Sequence, residues 1–213
     1  MLEYPKIQTL YDRDPDDMKH VMPGAFSHPA FETVSRWLVT EKVDGTNVRV
    51  ILVGGAVRFG GRTDSAQMPV FLLDRLAEML PRERVADAFD SGTSAVLFGE
   101  GYGPRIQKGG GLYRDDPGFR LFDVAVLTSY RTWWGEWDDV EDVARKGGVK
   151  TVPVLGDMRL DDALLCVRSA SVVAREDGGV DRDQEGIVAR SRPLLFTRRG
   201  DRVVWKLKAR DLT

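Results

Sequence analysis

The chain has 213 residues, of which 42% are hydrophobic and 30% charged; this is ordinary globular usage and excludes a collagen-like, low-complexity or wholly disordered polypeptide. The 31 basic residues against 33 acidic ones leave a formal charge of −2, so no molecule-wide positive field marks a polyanionic partner, and any phosphate binding has to be local. The single Cys166 has no partner for a disulfide or a thiolate metal site, fits a reducing compartment, and reads as a buried apolar residue.

The opening MLEYPKIQTLYDRDPDD lacks a basic and then apolar leader, and the uncharged stretch Val50 to Val57 is far shorter than the roughly 18 residues of a membrane helix. A cytoplasmic protein without membrane association is expected. Residues 1–36 carry Pro5, Pro15, Pro23 and Pro29, which interrupt every periodic run and predict a loop-rich lead-in with short helical pieces. Strands follow at Trp37–Glu41, Asn47–Val53 and Ala56–Phe59, the last two joined through Gly54-Gly55 as a tight hairpin. Leu72, Leu73, Leu76 and Leu80 at helical spacing predict a helix over Val70–Leu80, ended by Pro81, with a second short helix over Arg82–Phe89.

Strands resume at Ala95–Glu100 and Phe119–Leu127, separated by the glycine-rich segment Gly101–Gly111. A helix from Trp137 to about Lys146 closes at Gly147-Gly148. A further helix is predicted over Leu160–Ala174, then an acidic loop over Arg175–Gln184, a strand at Gly186–Arg190 and a hairpin across Arg199-Gly200-Asp201. Hairpins interrupted by helices, rather than a βαβα alternation, predict an α+β fold with antiparallel sheets. No repeat and no linker divides the chain.

Common catalytic signatures are missing: there is no GxxxxGK[ST] loop, no GxSxG elbow and no HExxH, and the Gly99–Gly103 run lacks the third glycine of a dinucleotide fingerprint. The two histidines, His20 and His28, both fall in the proline-rich lead-in and read as surface residues. What stands out is EKVDGTN, Glu41 to Asn47, between two predicted strands. Lys42 sits at a strand end facing a turn, and a lysine amine is a nucleophile only when neutral, which neighbouring positive charge promotes.

The segment VVWKLKARD supplies such charge. Lys206 and Lys208 are two apart in a strand and share a face, with Trp205 and Leu207 on the other. Two ammonium groups side by side fit either a solvated edge strand or a polyphosphate. Glu100 and Glu185 lie at strand ends, as exposed acids or as hard oxygen ligands for Mg²⁺ or Mn²⁺. Lysines for phosphate and acids for metal describe nucleotidyl transfer.

Six segments in order, K-x-D-G at Lys42–Gly45, GRT at Gly61–Thr63, FGEGYGPRIQKG at Phe98–Gly109, FRLFDV at Phe119–Val124, EGIVAR at Glu185–Arg190 and WKLK at Trp205–Lys208, resemble the successive motifs of covalent nucleotidyltransferases. The resemblance is to the RNA ligase 2-like branch of ATP-dependent polynucleotide ligases and covers nearly the whole chain. It implies one nucleotidyltransferase (adenylyltransferase) domain over residues 1–213, built from two antiparallel sheets flanked by helices with a nucleotide cleft between them. It also implies an ATP-dependent RNA ligase that self-adenylylates on Lys42, transfers AMP to a 5′-phosphate end and seals it to a 3′-hydroxyl. RNA ends or a nicked duplex would be the partners, and RNA repair a role.

By the same resemblance, Glu41 and Phe122 belong to the adenine pocket, Phe122 stacking on the base. Arg62 contacts the ribose or the 5′-phosphate, and Glu100 the ribose. Asn47 and Asp123 join the polar network, Glu185 is the metal-linked acid for Mg²⁺ or Mn²⁺, and Asn47 through water and Asp123 are further metal candidates. Lys206 and Lys208 hold the triphosphate and stabilise the transition state.

Asp44 departs from the histidine frequent in that branch and matches DNA ligases and capping enzymes. With Thr213 five residues beyond Lys208, no accessory C-terminal domain is expected, and nick binding should be weak. Arg105 with Lys108, and Arg198, Arg199 and Arg202, form local basic patches suited to RNA phosphates or to solubility. Trp133, Trp134 and Trp137 read as core packing or a helix-cap contact. An ATP-dependent DNA nick ligase, a capping-type guanylyltransferase and a non-catalytic nucleotide- or RNA-end-binding module remain open at this level.

Overall fold

Glycines punctuate the described chain where the sequence places them. Gly54 and Gly55 take φ of 57° and 72°, the positive values that a two-residue hairpin turn requires. The computed structural model describes residues 2–212, as a mixed α+β fold of several sheets and few helices. The first elements are β1 (Gln8–Thr9), β2 (Tyr11–Arg13), β3 (Val21–Phe26), α1 (Pro29–Thr33), β4 (Trp37–Glu41), β5 (Thr46–Val53) and β6 (Ala56–Gly60). Next come α2 (Val70–Met79), α3 (Arg82–Ala86), β7 (Ser94–Tyr102), β8 (Gly118–Leu127), β9 (Thr132–Trp134), α4 (Trp137–Gly147) and β10 (Lys150–Thr151). The chain finishes with β11 (Val154–Met158), α5 (Leu160–Leu165), α6 (Val172–Glu176), β12 (Gly186–Ser191) and β13 (Val204–Lys208).

These elements form two compact units, Met1–Pro5 with Asp44–Val152, and Lys6–Val43 with Pro153–Thr213. The chain changes unit inside the K-x-D-G run, between Val43 and Asp44, so no stretch of linker composition marks the division that the sequence did not show. In the first unit the sheet order is β10-β8-β7-β5-β6, with β9 on β8. Val48, Val50 and Leu52 of β5 are buried, as are Leu72 and Leu76 on the apolar stripe of α2 and Leu80 just after it; each such side chain contributes about 1.5–3 kcal/mol by leaving water. Helix α4 opens on a capping box between Glu136 and Asp139 and closes at Gly148, whose φ is 66°.

In the second unit the order is β1-β13-β12-β4-β11, with β2 and β3 as a separate ribbon. Trp37, Val39, Ile187, Ala189, Trp205 and Leu207 meet in its core with Leu10, Phe31 and Val167. The apolar partners of Lys206 and Lys208 on β13 therefore do face inward, as the alternation requires.

The structure corrects four expectations. The sheets are not wholly antiparallel: β1 pairs β13, and β10 pairs β8, in parallel, because these two-residue edge strands arrive by long crossovers rather than hairpins. The lead-in contains strands β1 to β3, which pair as short edges where Pro23 and Gly24 in β3 are tolerated. The helix over Leu160–Ala174 is broken into α5, a 3-10 turn at Cys166–Arg168, and α6. Cys166 and both histidines are half-buried: Cys166 packs against the core, His28 caps α1 by accepting from the Ala30 amide at 3.1 Å, and His20 pairs with Asp17 at 2.5 Å. Trp134 stacks on Phe98 and Trp137 opens α4, in line with packing and cap roles, whereas Trp133 is exposed. Among the described residues no helix is long and apolar enough to cross a membrane.

Candidate active site

Three strand ends of the second unit converge. β12 lies between β4 and β13, with Ile187 opposite Glu41 and Gly186 opposite Lys208. The residue after β4 is Lys42, the residue before β12 is Glu185, and the last residue of β13 is Lys208. The Lys42 amide donates to the Gly186 carbonyl at 2.9 Å and the Ala209 amide to the Glu185 carbonyl at 3.0 Å, which holds both turns to the sheet. Gly186 has to be glycine here: its φ is 153°, and a Cβ would lie 2.2 Å from the Leu207 carbonyl oxygen.

The side chains meet on one carboxylate. Lys42 Nζ donates to Glu185 Oε2, and Lys208 Nζ lies 2.6 Å from Oε1. Lys42, Glu185 and Lys208 are 20%, 15% and 18% exposed, sheltered enough for their charges to be felt strongly and open enough for a ligand to reach them. Burial pushes the Glu185 carboxyl up, but the Lys42 charge and the lysine hydrogen bonds outweigh it and hold the group below the ordinary carboxylate value. Lys206 stands two residues before Lys208 on the same strand, opposite Val188.

Two supports of this cluster were not visible in the sequence. Glu41, 1% exposed, accepts from the Ser171 hydroxyl at 2.5 Å and from the Val172 and Val173 amides at 2.8 and 3.0 Å. Its carboxylate thus caps α6 and ties that helix to the strand that ends at Lys42. Asp211 is 2% exposed; it accepts from the Lys208 amide at 3.1 Å and from Arg13 Nη2 at 3.2 Å, clamping the end of β13. The only sequence signals were a serine at a helix start and an acid three residues past a lysine.

The remaining candidate residues lie in the first unit. Asn47 and Glu100 are cross-strand partners on β5 and β7, and Asn47 Oδ1 is buried without a hydrogen-bond partner. Phe122 is the extra residue of a β-bulge in β8, since Phe98 pairs with Asp123 and Gly99 with Leu121. The bulge leaves Phe122 half-buried between two buried neighbours, the re-aiming that bulges provide. Asp123 is fully buried and accepts from the Tyr4 hydroxyl at 2.9 Å and the Val124 amide at 3.1 Å. Arg62 is exposed, at the start of a loop held from beneath by the buried Arg49, which donates to Gly61 O at 2.6 Å and Asp64 Oδ1 at 2.9 Å. Gly45 of K-x-D-G packs so closely on β7 that a Cβ would sit 2.2 Å from the Gly101 oxygen.

Among the described residues no group of three His, Cys, Asp or Glu side chains forms a closed metal cage. The donors present suit a different mode, in which a hard cation takes one carboxylate, waters and substrate phosphates. In the second unit Glu185 supplies such a carboxylate; in the first, taken by itself, the buried Asn47 Oδ1 is an acceptor that calls for a donor or a water.

A family model described as RNA ligase matches residues 35–208. Solved structures of Naegleria gruberi RNA ligase share the fold. An apo form matches with a TM-score of 0.64 at 17% identity, over 98% of this chain and 57% of that one. A form with ATP and Mn matches at 0.59 and 18%, over 97% and 57%, and one with AMP and Mn at 0.58 and 20%, over 84% and 52%. At these identities the likeness is one of fold, and the present chain spans a little over half the length of those proteins. No curated protein matches the sequence.

Proposed function

This chain belongs to the RNA ligase family, and we propose that it is an ATP-dependent RNA ligase that carries AMP on Lys42. The observation that carries the reading is the pairing of Lys42 and Lys208 on the single carboxylate of Glu185. A lysine held only for structure needs one counter-ion; two ammonium groups beside one acid leave a net positive site suited to an anionic triphosphate. Solved fold relatives with ATP or AMP and Mn are consistent with this.

In the proposed reaction the Lys42 Nζ lone pair attacks the α-phosphorus of ATP, and pyrophosphate leaves with the electrons of the broken P–O bond. The proton lost from Nζ passes to solvent. A 5′-phosphate oxygen of RNA then attacks the lysyl-AMP phosphorus, the P–N bond breaks, and Lys42 regains a proton. A 3′-hydroxyl finally attacks that 5′-phosphate, gives up its proton and displaces AMP.

Lys206 and Lys208 place fixed positive charge where negative charge builds on the phosphates, which costs no reorganisation during the step. Glu185 would hold Mg²⁺ or Mn²⁺, whose charge offsets that of the phosphates. The roles of Asn47, Arg62, Glu100 and Phe122 at the nucleotide, of Asn47 through water and Asp123 as further metal contacts, and of both units as one nucleotidyltransferase domain are part of the same proposal. For Glu41 the proposal joins adenine binding to its capping of α6.

The test is strand joining. A 5′-phosphorylated RNA is incubated with ATP, Mg²⁺ or Mn²⁺, and an acceptor strand ending in either ribose or deoxyribose. Joining that requires the terminal ribose supports an RNA ligase. Equal joining of both would make the chain a general polynucleotide ligase, and no joining to either acceptor would refute ligation.

A further inference from the structure

β12 and β13 carry the site at one end and are joined at the other by an arm, residues 192–203, which the proposed reaction does not use. The arm is built rather than loose. Ser191 N donates to Val203 O at 3.0 Å, Val203 N to Leu195 O at 2.8 Å and Thr197 N to Asp201 O at 2.7 Å. The Ser191 hydroxyl accepts from the Leu195 amide at 2.8 Å, and Phe196 bridges to Arg202 across the turn. Gly200, with φ of 83°, closes it.

What this scaffold displays is unusual for a solvated turn. Residues 192–202 contain four arginines against one aspartate, in a chain whose net charge is −2. Arg192, Arg198 and Arg199 are exposed. Leu195 and Phe196 lie among them at 43% and 49% exposure. Exposed arginines would serve solubility alone, but an ordered turn that also leaves an aromatic ring in water offers a stacking platform flanked by phosphate-binding charge. An acidic protein surface would satisfy the arginines without calling for the ring, so the combination favours single-stranded nucleic acid.

We propose that the arm at residues 192–202 is a docking surface for the single-stranded portion of the RNA substrate, with a base on Phe196 and phosphates on Arg198 and Arg199. This rests on reading the chain as an RNA ligase. The strands fix how far along the RNA the contact falls. Gly186 to Ser191 is five steps at about 3.3 Å each, so the arm stands about 17 Å from the ends that carry Glu185 and Lys208. At about 3.4 Å per stacked nucleotide that is roughly five nucleotides from the joint.

The experiment titrates the full chain with 5′-phosphorylated RNAs of about four and about twenty nucleotides across a salt series, followed by fluorescence anisotropy, with self-adenylylation measured in parallel. Arg198→Ala/Arg199→Ala should weaken binding of the long RNA and lower the slope of log K against log salt by about 1.4, at about 0.7 per phosphate contact on a single strand. Arg198→Lys/Arg199→Lys should restore that slope, and Phe196→Ala should weaken binding about tenfold with the slope unchanged. The short RNA should bind all variants alike, and AMP uptake should match the wild type throughout.

Long-RNA affinity and salt slope equal to wild type in a Phe196→Ala/Arg198→Ala/Arg199→Ala variant would overturn the proposal, as would equal losses with the short RNA. If the wild type takes no AMP, the ligase reading fails separately, while the RNA titration still decides the arm.

Discussion

Replacing Glu41 removes a carboxylate on which three donors converge, and the structure sets the size of the effect. Glu41→Gln keeps the shape but exchanges charge-assisted hydrogen bonds for neutral ones at the Val172 and Val173 amides, 2.8 and 3.0 Å away. At about 1 kcal/mol for each bond so weakened, the loss is about 2 kcal/mol. Glu41→Ala leaves those two amides and the Ser171 hydroxyl without their acceptor in a buried place, at about 1–3 kcal/mol each, so about 4–5 kcal/mol in all. For a chain of this size the thermal midpoint moves about 2–4 °C per kcal/mol, which predicts falls of about 4–8 °C for the glutamine and at least about 8 °C for the alanine. Calorimetry measures the midpoint, and amide hydrogen exchange should show Val172 and Val173 losing protection first. Ser171→Ala combined with Glu41→Ala should be clearly less than additive, since both act on one network. A midpoint unchanged in Glu41→Ala, or strict additivity, would refute the cap and return Glu41 to a role in ligand binding alone.

Three further outcomes follow from the site. Because the Glu185 carboxyl titrates below its ordinary 4.5 when folded, its contribution is fully present above about pH 4.5 and is lost as pH falls through the folded value. Denaturant titrations of Glu185→Gln should therefore show a shallower acid-side loss than wild type, and parallel acid limbs would contradict the ion-pair account. Asp211→Asn should slow AMP transfer about 10- to 100-fold by loosening Lys208; a wild-type rate in single-turnover assays would show that Lys208 stands without this clamp. Gly45→Ala must move β7 or the turn, since its Cβ would meet the Gly101 oxygen at 2.2 Å, and should cost about 1–3 kcal/mol in thermal unfolding; a neutral substitution would mean the turn has room that the geometry denies.

The strands that carry the site were legible because their signals are local. Gly54-Gly55 marks one hairpin, and Trp205 and Leu207 alternate with Lys206 and Lys208 in the period of a strand with one buried face. Helix α4 was legible to its end, since an amphipathic run meets a glycine at Gly148. Non-local features were hidden. β1 is two residues long and exists through its pairing with β13, nearly two hundred positions away. The start of α6 is capped by Glu41, 130 residues before Ser171, which no helical periodicity can report. Likewise, the bulge at Phe122 depends on register with Phe98 and Gly99, and the clamp by Asp211 on the fold of the last turn.

The most direct test of the account is the intact mass of the protein after incubation with ATP and Mg²⁺ or Mn²⁺, with GTP in parallel, followed by peptide mapping of the adduct. The account predicts one AMP on Lys42 of the wild type, removable by pyrophosphate, and none on a folded Lys42→Ala variant. AMP on a different lysine, or no adduct on wild-type protein first cleared with pyrophosphate, would contradict it.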